Sequence, residues 1–176
     1  PPGHGVWCPS DSRTDQHSHP PRATRDASSL PGLCAPTPLA GTGFLTPDLP
    51  DEAEPAAPYA YDPKNPVITR GGALLMATEY PAGPFDQRPT EERDDVLVYT
   101  TAPLAADLTV IGPVRMELYA VSSASDTDFM VKLLDVHPSG FAQRLCASMV
   151  RARYRDSFPD PTPIPPGEVV HYSIDL

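Results

Sequence analysis

The sequence predicts an all-β domain, an antiparallel β-sandwich, and three observations predict it. Residues 114–121 alternate apolar and polar side chains with period 2, and along 129–136 Phe129, Val131 and Leu133 share one face and Met130, Lys132 and Leu134 the other. Turn residues recur between short stretches rich in β-branched and aromatic residues. No segment carries the apolar stripe of an amphipathic helix.

Taken in order, residues 1–38 are expected to be irregular or disordered. The 176-residue chain holds 25 prolines, 14 of them within residues 1–66, and proline both removes a backbone donor and pushes its predecessor out of the helical region. This segment is polar and Ser-rich with one aromatic residue, Trp7, so it offers too little apolar surface to offset its ordering entropy. Residues 39–66 read as a linker and lead-in, with 41–46 a candidate short strand.

The domain proper is expected over residues 67–176. Gly71-Gly72 followed by Ala73-Leu74-Leu75-Met76 reads as a loop, and residues 96–101 as a strand. Along 114–121, Val114, Met116, Leu118 and Ala120 share one face and Arg115, Glu117 and Tyr119 the other. Residues 127–137 and 143–154 read as a hairpin about the turn signal Pro138-Ser139-Gly140. A Pro-rich loop, 158–166, delivers a last strand over 168–176. Ending inside that strand would leave an apolar edge exposed to association, so the sandwich is expected to be incomplete at its C-terminus and self-association is plausible. The opening Pro1, in place of Met, points likewise to a piece of a longer protein.

Composition narrows the function classes. A net charge of −10 with singly scattered arginines lacks the basic stripe that nucleic acid requires. No apolar run of about 18 residues and no leader-type segment is present, so neither a membrane span nor export is expected. Cys8, Cys34 and Cys146 form no C-x-x-C and no ligand spacing with the histidines; an odd, unpatterned count suits a reducing, cytoplasmic setting.

Several motifs in order carry a family resemblance. Asp94-Asp95-Val96-Leu97-Val98-Tyr99-Thr100-Thr101, Ile111-Gly112-Pro113-Val114, Ser125-Asp126-Thr127-Asp128-Phe129, Asp135-Val136-His137-Pro138-Ser139-Gly140 and Val150-Arg151-Ala152-Arg153-Tyr154-Arg155 resemble the C-terminal jelly-roll domain of X-Pro dipeptidyl-peptidases. The likeness is to the cocaine-esterase and α-amino-acid ester hydrolase (CocE/NonD) group in particular. Upstream, Tyr61-Asp62-Pro63, Pro66, Gly71-Gly72, Gly83-Pro84 and Asp86-Gln87-Arg88 continue it. The resemblance runs over residues 41–176, and residues 1–38 stand outside it. It implies a serine hydrolase of esters or amides whose Ser-His-Asp triad lies in an α/β-hydrolase domain, accompanied by a cap domain. The present domain would brace that core. It also implies that Leu75 and Met76, supported by Gly71-Gly72, line the acyl pocket.

Read from the residues alone, the chemistry is sparse. No G-x-S-x-G elbow occurs, so no catalytic residue is assigned and the chain alone is expected to be inactive. Ser139 reads as a turn residue, and His137 and His171 as structural or surface residues. His17-Ser18-His19 is too small a set for a metal. Asp126, Asp128 and Asp135 resemble oxygen ligands for calcium, but Asp126 reads better as ending a strand and Asp128 as tying the turn to backbone amides or to the Arg151, Arg153 and Arg155 run. No cofactor and no metal is expected. The alternative is a free-standing carbohydrate-type binding module, for which Tyr99, Tyr119, Tyr154 and Tyr172 are the available strand aromatics.

Overall fold

The computed structural model describes residues 4–7, 42–45, 56–73, 78 and 81–176. Its strands are β1 (His4–Trp7), β2 (Thr42–Leu45), β3 (Ala57–Tyr59), β4 (Val98–Thr101), β5 (Arg115–Val121), β6 (Asp128–Val136), β7 (Ala142–Arg151) and β8 (Val169–Asp175). The described helical structure is one α-turn, α1 (Arg88–Glu91), and a 3₁₀ turn over Ala152–Tyr154. The all-β expectation holds.

Four strands form one sheet in the order β3-β1-β5-β8, with β5 and β8 antiparallel from Arg115↔Asp175 to Val121↔Val169. β6 and β7 form the expected antiparallel hairpin. Two features depart from expectation. β2 and β4 pair in parallel, whereas the sequence reading had every pair antiparallel. Residues 4–7, inside the segment expected to lack regular structure, form β1 between β3 and β5. Four residues are too short to show periodicity, and a strand of this length gains its order from the two neighbours that satisfy its backbone.

The alternation read from the sequence is what builds the core. Leu118 and Ala120 on β5, Tyr172 and Ile174 on β8, and Phe129 on β6 are buried together with Ala152 and Ile164. Met116, Val131, Val150 and Val170 pack around them. Thus the β5–β8 face and the β6–β7 hairpin close on each other as two layers. Each large apolar side chain buried there contributes roughly 1.5–3 kcal/mol.

The Pro-rich connection between the 3₁₀ turn and β8 is tied down along its length. Ala152 N–H donates to the Thr127 carbonyl (2.8 Å), Ile164 N–H to Ser125 (2.9 Å) and Gly167 N–H to Ser122 (2.9 Å). Ile164 is thereby pinned in the core, 2% exposed.

Candidate functional site

A densely bonded non-core region is the neck between residues 70 and 87. Gly72 and Gly83 face each other across it, with Gly72 N–H donating to Gly83 O (2.7 Å) and Gly83 N–H to Gly72 O (3.0 Å). Gly71 and Gly72 have φ of +66° and +93°, a backbone that L side chains rarely adopt. A Cβ on residue 71 would lie 2.7 Å from Phe85 Cδ2, and one on residue 72 would fall on the Arg144 guanidinium. The expectation that Gly71-Gly72 support this loop therefore has a steric reason. Leu75 and Met76 lie between Gly72 and Gly83 in the sequence and outside the described residues.

Gln87 holds the two limbs together. It is 1% exposed, and its Nε2 donates to the carbonyls of Arg70 (2.9 Å) and Phe85 (2.8 Å). Its Oε1 accepts from Lys132 Nζ at 3.0 Å. One buried amide is satisfied at both ends by groups 17 residues upstream and 45 downstream. Burial first, then the like charge of Arg144, pulls the Lys132 ammonium below the usual lysine pKa, with Glu91 acting the other way. Next along the chain, Asp86 accepts from Ala142 N–H (3.2 Å) and from Arg88 Nε (2.8 Å). Hydrogen bonding from Arg88 lowers the Asp86 pKa to about 2.

The neck rests on the outer face of the hairpin. Phe129 and Val131 point into the core, so Lys132 and Leu134 share the opposite face. The register slips between Leu133, opposite Cys146, and Leu134, opposite Arg144. This bulge leaves Leu145 unpaired and puts Arg144 beside Leu134, where its Nη2 donates to the Gly71 carbonyl. Beside the neck is an open groove of about 430 Å³, lined by Ile68, Arg70, Gly71, Pro81, Phe85 and Arg93 among others. Arg93 forks onto Asp95 (2.7 Å to each oxygen) and donates to the Asn65 carbonyl (2.7 Å). It thus ties the turn after Asp62 to the lead-in of β4.

Other sequence candidates resolve into structure. Asp126 takes both Arg151 (2.8 Å) and Arg153, and Asp128 takes Arg151 at 3.4 Å. Burial works against ionising Asp126, but bonds from Arg153 and Arg151 outweigh it and hold its pKa below the ordinary value. Asp135 stands apart, 3.7 Å from His137. Among the described residues no group of three or more His, Cys, Asp or Glu is placed to hold a metal. Ser139 Oγ accepts from Phe141 N–H within the turn (3.4 Å). His171 and Ser173 both bond Glu117, at 2.6 and 3.0 Å, which puts the carboxylate between the imidazole and the hydroxyl, not the order of a nucleophile and its base. Cys146 is a half-buried free thiol. His17 and His19 lie outside the described residues.

Tyr119, Tyr154 and Tyr172 are set in three different surroundings. Tyr172 is in the core, Tyr119 stacks on His171 (4.6 Å), and Tyr154 stacks on Phe158 (5.7 Å) from the 3₁₀ turn rather than from a strand. Among the described residues no helix is long and apolar enough to cross a membrane. The sequence reading passed over Lys132 and Arg144 and did not single out Gln87 within Asp86-Gln87-Arg88. A run of consecutive matched residues was the available signal for Gln87; Lys132 and Arg144 carried none.

Fold and site together define a β-sandwich with a glycine neck anchored by Arg144 and Gln87. The X-Pro dipeptidyl-peptidase C-terminal non-catalytic domain family matches residues 10–176, and the chain belongs to it. That match reaches into residues 1–38, which the resemblance had left outside. The chain is 44% identical over 147 residues to the cocaine esterase of Rhodococcus sp. strain MB1 Bresler, covering 84% of this chain and 25% of that one. The crystal structure of an aminopeptidase from a marine-sediment Thaumarchaeota archaeon superposes with a TM-score of 0.60 at 36% identity, over 67% of this chain and 22% of that one. The chain thus spans about a quarter of the length of the curated relatives it matches.

Proposed function

We propose that this domain serves a serine hydrolase of esters or amides as an accessory layer, bracing an α/β-hydrolase core and contributing one wall of its acyl pocket. The observation that carries the reading is the loop neck. Gly71, Gly72, Gly83 and Gln87 join the two ends of a segment whose sequence includes Leu75 and Met76, the positions the family resemblance assigns to the pocket. Pockets formed between domains are largely apolar, and a loop on a rigid sheet is a precise way to supply such a wall. The partners are an α/β-hydrolase and a cap domain, a small ester or amide substrate, and a second copy through exposed strand edges. The setting is cytoplasmic.

In this reading the chemistry is serine attack, an acyl-enzyme and its hydrolysis, performed by residues outside this chain. The domain's part is to limit which acyl group fits. The test is a chimera in which this chain replaces the matched quarter of the Rhodococcus cocaine esterase. Leu75→Ala and Met76→Ala are expected to change KM for a benzoyl ester while sparing an acetyl ester. Equal effects on both esters would overturn the pocket assignment.

A further inference from the structure

The groove beside Phe85, the Glu117–His171–Ser173 row on the outer face of β5–β8 and the neck of the 70–87 loop are the three regions with the most unassigned chemistry, and the neck carries an inference furthest. We infer that Arg144 is a positioning residue that sets the spacing and direction of the two limbs of the pocket loop through Gly71 and Gly72. The proposal rests on the reading of that loop as an acyl-pocket wall.

Three observations support it. The Arg144 guanidinium occupies the side-chain space of residue 72, so the glycine and the arginine are matched in shape. Its Nη2 donates to the Gly71 carbonyl, the other end of the peptide group whose Gly72 N–H donates to Gly83 and closes the neck. Arg144 is itself aimed by the bulge at Leu145, a distortion of the hairpin that the core does not use. Bulges re-aim single side chains in this way. A charge-assisted bond from a planar guanidinium fixes direction as well as distance.

Gln87 performs the complementary task at the far end of both limbs, joining Arg70 to Phe85. The neck is thus held at two levels, by Arg144 next to the glycine pair and by Gln87 at its base. Each contact comes from a different strand of the hairpin, Arg144 on β7 and, through Gln87, Lys132 on β6. Both levels of the neck are therefore anchored on the hairpin.

The test is amide hydrogen exchange, residue by residue, on the full 176-residue chain and on Arg144→Met and Arg144→Lys. Removing a hydrogen bond from a charged donor is expected to speed exchange at Gly72 and Gly83 by about tenfold or more. Leu118 and Tyr172, in the core layer, should be unchanged, and Arg144→Lys should recover part of the protection. Unchanged exchange at Gly72 and Gly83 in Arg144→Met would overturn the proposal, and so would an equal rise at Leu118 and Tyr172, which marks a general loss of stability. The measurement involves no substrate. A loosened neck together with no change of acyl selectivity in the Leu75 and Met76 chimeras would overturn the pocket reading and leave the role of Arg144 standing.

Discussion

Phe129 of β6 and Tyr172 of β8 meet across the two layers, ring centroids 4.9 Å apart and tilted by 52°. They are 5% and 1% exposed, and the contact is the aromatic centre of the core. Tilted aromatic pairs add about 0.5–1.5 kcal/mol beyond the area they bury.

Phe129→Ala is expected to cost about 3–5 kcal/mol, the usual range for emptying a core aromatic site, read from the urea midpoint. Tyr172→Ala should cost a similar amount, and the double variant less than the sum, because the second truncation enlarges a cavity that already exists. Additive losses would mean that the rings do not share one packing unit.

Gln87→Leu is expected to destabilise by about 1–3 kcal/mol for each partner left unsatisfied. Three groups lose their bond: the Arg70 and Phe85 carbonyls and the Lys132 ammonium. Thermal unfolding would check it. A Tm within a degree of the parent would mean that water replaces the amide at no cost.

Gly72→Ala is expected to destabilise by about 1–3 kcal/mol through its positive φ alone, and further through collision with Arg144. Combining it with Arg144→Ala should relieve the collision and leave the backbone strain. In a denaturant-melt cycle the double variant should therefore lose less than the two single losses combined.

Acid should weaken the fold through depressed carboxylates. Asp86, Asp95 and Asp126 all have folded pKa values below their ordinary ones. The sign follows directly: their stabilisation is fully present above the unfolded aspartate value of about 4 and is lost as pH falls through the folded values, toward about 2 for Asp86. Stability measured between pH 6 and pH 2 should fall chiefly below about pH 4. Asp126→Asn should flatten that slope, and an unchanged slope would remove Asp126 from the acid response.

The purified chain is expected to show no turnover of a p-nitrophenyl ester and no labelling by a fluorophosphonate. Turnover together with one labelled serine would mean that a nucleophile and base do assemble within these 176 residues.

The strand faces were legible in the sequence because side-chain direction along a strand is a local property. Met116, Leu118 and Ala120 could be assigned to the core without knowing what they would meet. The hairpin about Pro138-Ser139-Gly140 was legible for the same reason, since its turn chemistry is contained in a few residues. Strand ends were less so: β4 starts at Val98 rather than 96, and β7 ends at Arg151 before a 3₁₀ turn, because ends depend on neighbours as well as on pattern.

By itself, then, the sequence determined an all-β sandwich, its core faces, its main hairpin and a family likeness that the motifs carried in order. Only the tertiary structure decided that β1 enters the sheet, that β2 runs parallel to β4, that one extra residue at Leu145 aims Arg144, and that Gln87 ties Arg70, Phe85 and Lys132 together. These are long-range facts. Gln87 and Lys132 are 45 residues apart and Gly71 and Arg144 are 73 apart, and no local periodicity encodes a meeting that exists only once both layers have packed.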